Sequence, residues 1–564
     1  MTVQATFAAT LVDEWVRGGV TDAVVCPGSR STPLALALAA DGRLRLHVHH
    51  DERSAGFTAL GLGLAHGRPA VVLTTSGTAA VELHPAVVEA SMAGVPMIAC
   101  TADRPPELQD VGAPQTIDQT HLFGRAARWY AAPGVADEAW RPTWRSLAAR
   151  SVIEATGPWP GPVHLNLAFR DPLVGHADEL PPGRDGGAPW ERGAPRAGSG
   201  SVVDPGLTTT LARARGLLIA GGGIDVPEGV FELAETAGWP VLADPRSGCR
   251  VPGELTVAAF DAILRHDAFA AEHRPEVVIR LGSPSASKVL GQWLASAGGL
   301  QLAVAGPGRR YDPDHDADIV VAAEPGAWCS SLAAELAGLD VDAGWASGWR
   351  TAEAAAQAAV DRVLGRRPAI SEPAVARHLA AELPDGATLV VGSSMPVRDV
   401  EWFSAPRSGL RVLANRGANG IDGVVSTAVG VALACDGAPT AALVGDLSFL
   451  HDASALLALA DRRVDLTIVV VDNRGGGIFS FLPQAAAIPP DRFELLFGTP
   501  HDVDLLALAR VHGLAVRGVR TAADLDDALG SVGELGVRVV VARTDRASNV
   551  AVHDELHAEV ARVL

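Results

Sequence analysis

Short apolar segments rich in valine, leucine, isoleucine and alanine recur along the chain, and segments with a helical pattern separate them. Apolar runs of strand length without strict alternation are typical of parallel strands buried on both faces. The clearest are residues 23–26, 70–75, 97–101, 163–167, 216–220, 277–281, 388–391, 441–444, 466–471 and 537–542. Their alternation with helices predicts an α/β protein built from doubly wound parallel sheets.

Two stretches rich in proline, glycine and charge interrupt this alternation. A chain of 564 residues has room for about three or four domains, each with its own core. The predicted divisions are an amino-terminal domain (1–180), a linker (181–206), a central Rossmann-like domain (207–345), a helix and linker (346–373) and a carboxy-terminal domain (374–564).

Residues 441–479 predict one βαβ unit, with a strand, a helix near 454–460 and a second strand that ends in Asp-Asn. Parallel strands joined by one crossover are neighbours, so we expect Asp446 and Asn473 side by side at the carboxyl edge of the sheet. A carboxylate, an amide oxygen and the carbonyl of Gly475 are hard donors that suit Mg²⁺, and the glycines let a diphosphate approach the backbone. The alternative is an ordinary βα loop that carries an aspartate and an asparagine.

The net charge and the cysteine content indicate which partners and which cellular compartment to expect. A net charge of -19 argues against nucleic acid or an anionic membrane as the main partner. The five cysteines lie far apart without a C-x-x-C pair, which predicts buried thiols in a reducing compartment. The first residues lack a signal-peptide pattern and no uncharged apolar run reaches ~18 residues, so we expect a cytoplasmic protein that does not span a membrane.

The central domain carries two features with candidate chemistry. Lys288 is the only lysine among 46 basic residues and follows a predicted strand, which favours a role for an ammonium group; a leftover surface lysine is the alternative. Gly221, Gly222 and Gly223 follow another strand and precede Asp225. This is half of a dinucleotide fingerprint, because the third glycine and a suitably placed acid are missing, and it does not by itself predict NAD binding.

Two helix starts in the first domain carry further candidates. Ser29 and Arg30 follow the first strand and precede an alanine-rich helix, where free N–H groups and an arginine predict a carboxylate site. The alternative is capping by Ser31 or Thr32 with a solvent-facing arginine. Glu52 opens the next helix, where a carboxylate either complements the helix dipole or contacts a ligand.

Six sequence blocks in the outer domains resemble the 2-succinyl-5-enolpyruvyl-6-hydroxy-3-cyclohexene-1-carboxylate (SEPHCHC) synthases of menaquinone biosynthesis. In chain order they are PGSRSTPL, DERSAGF, TADRPPEL, NRGANGIDG, VGDLSFLHD and GGGIFSFLP. The resemblance is diffuse only in the middle domain and the linkers. It implies pyrimidine-binding, central and diphosphate-binding domains in a transketolase-like carboligase, which is a transferase.

The resemblance implies thiamin diphosphate as cofactor, held through Mg²⁺ or Mn²⁺. Glu52 would hydrogen-bond N1′ of the aminopyrimidine ring, and Ile421 would support the bent cofactor unless it is plain core packing. Asp446, Asn473 and Gly475 would hold the metal ion. The other implied cofactor contacts are Ser394, Gly420, Gly445, Leu447, Ser448, Gly476, Gly477, Ile478, Phe479 and Leu482.

The implied reaction is decarboxylation of 2-oxoglutarate and conjugate addition of the succinyl-semialdehyde carbanion to isochorismate, giving SEPHCHC and carbon dioxide. Both substrates are dianions, so an acidic protein would have to gather cations in one cleft. Arg398 and Ser394 would serve 2-oxoglutarate. The other implied substrate residues are Arg30, Gln115 and Lys288 on the isochorismate side, with Ser29, Arg104 and Arg416. For each, a plain surface role is the alternative, and Val289 stands where the family often has arginine.

The resemblance also implies a homo-oligomer, a dimer or tetramer, with active sites between the amino-terminal domain of one subunit and the carboxy-terminal domain of its partner. Two rival functions stay open. Another thiamin diphosphate carboligase or a 2-oxoacid decarboxylase would have a smaller and less charged acceptor pocket, against which the cationic set argues. A binding protein that lost the chemistry would not be expected to keep the whole cofactor set.

Overall fold

The computed structural model describes residues 2–193, 205–211, 214–224, 226–338, 342–457 and 459–564. Residues 194–204 of the predicted linker and Asp225 of the glycine turn lie outside the described residues. Within the described ranges the strands form three six-stranded sheets, and every pair of neighbouring strands is parallel. The predicted α/β class with three parallel sheets is confirmed.

The first sheet forms from the amino-terminal part of the chain. Its strands are β1 (Asp22–Val25), β2 (Arg45–Val48), β3 (Ala70–Thr74), β4 (Met97–Asp103), β5 (Trp129–Ala131) and β6 (Pro162–Ala168), in the order β2-β1-β3-β4-β6-β5. The helices of this part are α1 (Val3–Arg17), α2 (Thr32–Ala40), α3 (Glu52–His66), α4 (Thr78–Val81), α5 (His84–Ala93) and α6 (Trp144–Thr156). Strands β3, β4 and β6 are buried along their whole length, as their apolar sequences predict.

The second sheet has the strand order of a Rossmann fold, as predicted for the central domain. Its strands are β7 (Gly216–Ala220), β8 (Val241–Ala243), β9 (Thr256–Val257), β10 (Val277–Leu281), β11 (Leu300–Ala305) and β12 (Ile319–Ala322), in the order β12-β11-β10-β7-β8-β9. The accompanying helices are α7 (Pro205–Leu211), α8 (Pro227–Ala237), α9 (Phe260–Leu264), α10 (Asp267–Glu272), α11 (Lys288–Ala297), α12 (Pro325–Leu336) and α13 (Ala343–Gly365).

The glycine turn of the second sheet has a structural cause. The N–H of Gly221 donates to the carbonyl of Leu281 at 2.8 Å, and Gly222 and Ser283 exchange backbone hydrogen bonds. A Cβ at Gly221 would lie 1.8 Å from the carbonyl oxygen of Ser283. The loops after β7 and β10 therefore touch at the point where a Rossmann domain would hold a dinucleotide, and the glycines allow that approach.

The third sheet repeats the connectivity of the first. Its strands are β13 (Ala387–Val391), β14 (Leu410–Leu413), β15 (Thr440–Gly445), β16 (Asp465–Asp472), β17 (Ala515–Val519) and β18 (Gly536–Arg543), in the order β14-β13-β15-β16-β18-β17. Its part of the chain contains α14 (Glu372–Glu382), α15 (Met395–Phe403), α16 (Val424–Ala434), α17 (Asp446–His451), α18 (Gln484–Ala487), α19 (Pro490–Phe493), α20 (Leu505–Val511), α21 (Ala522–Leu529) and α22 (Arg546–Val563).

The helix expected near 454–460 was placed wrongly. Helix α17 follows β15 directly, while residues 453–456 and 459–461 form only short 3₁₀ turns. Asp446 is the first residue of this helix, and its Oδ1 accepts the N–H of Leu447 at 2.6 Å. A carboxylate in the first turn favours the helix because it faces the positive end of the helix dipole.

Packing divides the chain into two compact units. Unit 1 comprises residues 1–196, 415–437 and 448–464, and unit 2 comprises 197–414, 438–447 and 465–564. The division places α16 in unit 1, where it packs closely against α3. A Cβ at Gly61 would lie 2.1 Å from the carbonyl oxygen of Thr427, and one at Gly430 would lie 2.1 Å from that of Thr58. The predicted domain boundaries stay a prediction.

The cysteines occupy the positions expected of structural thiols. None of the five forms a disulfide bond within the described residues, four are buried, and Cys435 is partly exposed. Burial raises the pKa of the Cys26 and Cys100 thiols well above the usual range, so both are held as neutral thiols. Among the described helices, none is both long enough and apolar enough to cross a bilayer.

Candidate active site

The carboxyl edge of the third sheet gathers the predicted metal-binding residues in unit 2. Gly445 ends β15, Asp446 follows it, and Asn473 follows β16, the neighbouring strand. Asp446 is 2% exposed, and its Oδ2 accepts the N–H of Gly475 at 2.9 Å. Burial raises the pKa of Asp446, and hydrogen bonds from the N–H groups of Gly475 and Leu447 offset part of that shift. A cation would favour the ionised carboxylate further.

The glycine run after Asn473 has no room for side chains. Gly475 has φ +145°, and a Cβ there would lie 2.1 Å from the carbonyl oxygen of Gly498. A Cβ at Gly477 would lie 2.5 Å from Nδ2 of Asn473. The N–H of Gly477 donates to the carbonyl of Gly475 at 2.9 Å, which closes a tight turn. The N–H groups of Gly475, Gly476 and Gly477 all donate within the protein, and contact of this backbone with a diphosphate stays a prediction.

Only the nitrogen end of the Asn473 side-chain amide has a hydrogen-bond partner among the described residues. Its Nδ2 donates to Oε1 of Glu372 at 2.8 Å. Its Oδ1 is buried and has no hydrogen-bond partner within the described ranges. A buried amide oxygen without a partner is unfavourable unless a ligand satisfies it. With Asp446 and the Gly475 carbonyl, this oxygen completes a hard-donor set that fits Mg²⁺ or Mn²⁺.

Two further groups stand beside Asp446 that the sequence did not assign. Nε2 of His501 lies 3.3 Å from Oδ2 of Asp446, and donor atoms of Asp446, Asp472 and His501 all lie within 4.8 Å of one another. His501 follows Glu494–Gly498, a single turn of π-helix, a feature frequent at functional sites. Contacts of the glycine run and a hydrogen bond from Arg474 Nε to the carbonyl of His501 at 3.3 Å bring this loop to the strand ends, and no local pattern signals them.

Replacing His501 with alanine should weaken binding of the metal ion together with thiamin diphosphate by about 10-fold. The reason is that a side chain next to a metal ligand orients that ligand, and losing such a side chain typically costs about 10- to 100-fold in metal affinity. Titration calorimetry of the cofactor at fixed Mg²⁺ measures the change. His501→Gln, which keeps a side-chain donor, should lose less; equal affinity in all three proteins would contradict the role.

An apolar group follows the glycine run. Ile478, Phe479 and Leu482 are half-buried around a 3₁₀ turn at Gly477–Phe481. The ring of Phe479 packs against Phe497 with centroids 5.4 Å apart. The resemblance implies that these side chains form an apolar wall beside the cofactor ring, which stays a prediction.

The start of α15 brings together two of the predicted substrate residues in unit 2. Ser394 is the N-cap residue of this helix, and its side chain makes no capping hydrogen bond. Arg398 folds back and donates to the carbonyls of Ser393 and Ser394 at 3.1 and 2.7 Å. Burial lowers the pKa of the Arg398 guanidinium, which shows a desolvated cation suited to a carboxylate.

Glu52 occupies the first turn of α3 in unit 1. Asp51 caps the helix by accepting the N–H of Ser54 at 2.9 Å, so Glu52 is not needed as the cap. Burial raises the pKa of the Glu52 carboxyl, and the nearby carboxylates of Asp51 and Glu82 add to the rise. A half-buried glutamate with a raised pKa is poised to share a proton with a ring nitrogen.

The segments at 415–437 and 448–464 join α3 within unit 1. Arg53 Nη2 donates to the carbonyl of His451 at 2.7 Å. A Cβ at Gly423, which has φ +64°, would lie 2.0 Å from the ring of Phe57. Ile421 lies two residues before this contact, is 37% exposed, and its carbonyl accepts the hydroxyl of Ser448 at 2.8 Å. The exposure of Ile421 favours the cofactor-supporting role over plain core packing.

Glu89 holds the loop that carries Arg416, Gly420 and Ile421. It is 1% exposed, and its carboxylate accepts three successive N–H groups, those of Gly417, Ala418 and Asn419, at 2.8, 2.5 and 2.8 Å. Successive backbone N–H groups around one anion form a nest. Local sequence does not indicate a role for Glu89, because its partners lie more than 300 positions further along the chain.

Replacing Glu89 with alanine should destabilise unit 1, since each buried donor left unsatisfied costs about 1–3 kcal/mol. Urea unfolding followed by circular dichroism measures the loss. Glu179→Gln, which changes an exposed glutamate of the same unit, is the control and should unfold like wild type. An unchanged unfolding free energy in Glu89→Ala would show that the loop does not depend on this carboxylate.

Two arginines meet at the carboxyl edge of the first sheet. Arg30 Nη1 donates to the carbonyl of Phe169 at 3.0 Å and lies 3.3 Å from the Asp171 carboxylate. Arg104 bonds Ser76 and donates to the carbonyl of Pro114 at 2.9 Å. Burial and the nearby Arg30 guanidinium lower the pKa of Arg104. The two cations are close enough to repel, which an anionic ligand would relieve.

Polar groups surround this pair. The carbonyl of Gln115, which has φ +56°, accepts the Ser76 hydroxyl at 3.0 Å, and its side chain is exposed. Ser29 is exposed beside Arg30. Gln119 is buried instead and bonds the N–H of Gly77 at 2.9 Å, so it supports the loop. Ser29, Arg30, Arg104 and Gln115 thus share one sheet edge. The alternative of capping by the Ser31 side chain is wrong, since that hydroxyl donates to the carbonyl of Gly28.

Lys288 and Arg416 complete the predicted set in different surroundings. Lys288 is exposed as the first residue of α11, with Val289 partly buried behind it. A cation at a helix start opposes the helix dipole, so Lys288 does not stabilise α11 through that dipole. Arg416 is half-buried in the loop held by Glu89. Contacts of either residue with a substrate stay predictions.

Three models of protein families match consecutive parts of this chain. The thiamine pyrophosphate enzyme N-terminal TPP binding domain matches residues 1–122, and the middle domain of thiamine pyrophosphate matches 188–391. The thiamine pyrophosphate enzyme C-terminal TPP binding domain matches 394–542. The matched ranges include strands of all three sheets, while β5 and β6 of the first sheet lie outside them.

Curated relatives align along nearly the whole chain. A protein of Myxococcus xanthus named 2-succinyl-5-enolpyruvyl-6-hydroxy-3-cyclohexene-1-carboxylate synthase is 44% identical, and the alignment covers 99% of this chain and 97% of that protein. Proteins of the same name from Thermobifida fusca and Geobacillus kaustophilus are 45% and 43% identical. The alignments cover 100% and 99% of this chain, and 99% and 98% of those proteins.

Proposed function

The chain belongs to the family of thiamin diphosphate-dependent SEPHCHC synthases, and from that premise we propose that it joins 2-oxoglutarate to isochorismate with release of carbon dioxide. The enzyme is then a transferase of menaquinone biosynthesis. The observation that carries the choice of substrates is a pair of guanidinium groups at one sheet edge: Arg30, whose side chain is 11% exposed, and Arg104, whose pKa is lowered by burial and by Arg30. A dianionic substrate relieves their repulsion, whereas a small neutral acceptor does not.

We propose separate roles for the diphosphate-side and the pyrimidine-side cofactor residues. When bound, thiamin diphosphate supplies the electron sink for decarboxylation and for carbon–carbon bond formation. Asp446, the Asn473 amide oxygen and the Gly475 carbonyl hold the Mg²⁺ or Mn²⁺ that binds the diphosphate. Glu52 holds a proton at N1′ of the aminopyrimidine, for which its raised pKa suits it.

The remaining residues orient the substrates and exclude water. Ile478, Phe479 and Leu482 form an apolar wall, which lowers the local dielectric where a carboxylate must lose charge. Arg398 and Ser394 bind 2-oxoglutarate. Arg30, Arg104, Ser29, Gln115, Lys288 and Arg416 serve isochorismate or the shared carboxylate positions. Planar guanidinium groups fix the angle of a carboxylate as well as its position.

We further propose a cytoplasmic homo-oligomer, a dimer or tetramer, whose active sites form at subunit interfaces. Unit 1 leaves large apolar side chains exposed, which supports association through this unit. They include Leu36, Leu46, Val48, Val81, Met92 and Leu457. Single exposed apolar side chains are ordinary on a monomer, so the proposal requires these side chains to lie in one contiguous patch.

Product analysis tests the function. The purified protein with thiamin diphosphate, Mg²⁺, 2-oxoglutarate and isochorismate should give SEPHCHC by mass spectrometry, together with carbon dioxide. Leaving out isochorismate should suppress turnover. Decarboxylation of pyruvate without any need for isochorismate would instead identify a 2-oxoacid decarboxylase or another carboligase, and no accelerated exchange of the cofactor C2 proton would identify an inert binding protein.

A further inference from the structure

Glu372 is a buried acid that lies far from the predicted site in sequence and touches it in space. It occupies the first turn of α14, is 3% exposed, and precedes Asn473 by 101 positions. Its Oε1 accepts Nδ2 of Asn473 at 2.8 Å and the hydroxyl of Thr544 at 3.3 Å. Burying a carboxyl group is unfavourable unless donors satisfy it, and one of the donors here belongs to a predicted metal ligand.

The hydrogen bond decides which end of the Asn473 amide points where. An asparagine side chain carries an acceptor oxygen and a donor nitrogen of similar size, and a rotation of 180° exchanges them. With Nδ2 held by Glu372, Oδ1 is directed away from the glutamate. That oxygen is the buried atom without a partner described above. The opposite rotamer would place Oδ1 against the acidic oxygen of Glu372 and present an N–H donor to a cation, which is repulsive on both sides.

We propose that Glu372 is a positioning residue that selects the amide rotamer of Asn473 and so presents Oδ1 to the divalent cation. This inference rests on the proposed role of Asn473 as a metal ligand. It adds a residue from outside the sequence blocks that carry the family resemblance.

The surroundings of Glu372 hold it in place for this task. The backbone N–H of Thr544 donates to the carbonyl of Asp472 at 3.0 Å, so the second donor to Glu372 is itself fixed to the end of β16. The start of α14 favours a carboxylate through the helix dipole. Nearby, Asp399 and His553 form a buried pair with Oδ1 and Nε2 2.7 Å apart.

Metal affinity of the cofactor-saturated enzyme distinguishes positioning from plain structural support. Glu372→Met keeps the volume and removes the acceptor, whereas Glu372→Gln keeps an acceptor oxygen. Glu353→Met is the control, because Glu353 is also a buried glutamate, which accepts the N–H groups of Ala258 and Ala259 at 3.0 and 2.8 Å in the region of the second sheet. The Kd for Mn²⁺ is measured by electron paramagnetic resonance, and Tm by circular dichroism.

We expect Glu372→Met to raise the Kd for Mn²⁺ by about 10- to 100-fold and Glu372→Gln to stay within about threefold of wild type. Glu353→Met should lower Tm without changing the Kd. Thr544→Val removes only the second donor and should raise the Kd by a few fold, so it tests the same geometry if Glu372→Met does not fold.

The proposal is overturned if Glu372→Met binds Mn²⁺ like wild type, or if the folded Gln and Met variants are equally weak. It is also overturned if Glu353→Met weakens metal binding as much as Glu372→Met. The measurement is independent of the product formed, because Mn²⁺ binding is read without substrate. A failure to make SEPHCHC would therefore reject the proposed function and leave the result on Glu372 intact.

Discussion

Replacing Glu52 with glutamine is expected to lower kcat by about 10²- to 10⁴-fold, the usual contribution of a positioned acid–base group. Glutamine has nearly the same shape and cannot share a proton with the ring nitrogen. The pKa of Glu52 is raised by burial and by two neighbouring carboxylates, which brings the group closer to the pH at which it must exchange a proton. Steady-state kinetics with both substrates measure the loss.

The exchange rate of the cofactor C2 proton, followed by proton NMR in deuterium oxide, locates that loss. It should fall in parallel with kcat, whereas the Kd for the cofactor changes little. Glu82→Gln is the matched control, since it removes an exposed carboxylate from the same neighbourhood and should keep most of the activity. A Glu52→Gln enzyme with wild-type exchange would remove Glu52 from the proposed chemistry.

Replacing Asp446 with asparagine is expected to weaken metal-dependent binding of thiamin diphosphate by more than about 100-fold. Loss of an outer partner typically costs about 10- to 100-fold in metal affinity, and Asp446 is proposed as a ligand that also carries the charge. Oδ1 of Asp446 accepts the N–H of Leu447 and Oδ2 accepts that of Gly475, so asparagine keeps one of the two acceptors at nearly the same side-chain volume. Calorimetric titration of the cofactor over a series of Mg²⁺ concentrations measures the effect.

Asp465→Asn is the control for charge at this sheet. Asp465 is 1% exposed at the opposite, amino end of β16, where it accepts Arg538 Nη1 at 2.7 Å. Its replacement should lower Tm and leave cofactor affinity at the wild-type value. If Asp446→Asn binds the cofactor as tightly as Asp465→Asn does, the cation is held elsewhere and the assignment of the site is wrong.

Local sequence was sufficient to predict most of the strands and what stands at their ends, although β5, β8, β9 and β17 were not predicted. Runs such as the one forming β16 are fully buried, and burial on both faces leaves little choice of residue. Because parallel strands start on the same side, the residue after each strand reaches the same edge, which is why Asp446 and Asn473 could be placed together from spacing alone. The Rossmann order of the second sheet was expected for the same reason.

Long-range contacts were not predictable in this way. Glu89 and Glu372 lie in helices whose local sequence does not indicate a site, and their partners are 328 and 101 positions away. His501 lies beside Asp446 because separate loops touch, and the glycines of residues 475–477 allow that approach. The misplaced helix at 454–460 shows a smaller limit, since Asp446 itself starts the helix and no separate turn precedes it. The predicted roles in substrate binding cannot be tested from the sequence, because a sequence pattern shows residue types and their spacing and no contact with a substrate.

Unit 1 consists of segments that are far apart in the chain, so they are synthesised at different times. Its last sheet strand, β6, leaves the ribosome about 270 residues ahead of α16, the helix whose backbone lies against the glycines of α3. At roughly 5–20 residues per second, the nascent amino-terminal half waits roughly 15 to 50 s with that groove uncovered. A chaperone that shields small-residue grooves would be most useful to this polypeptide during that interval.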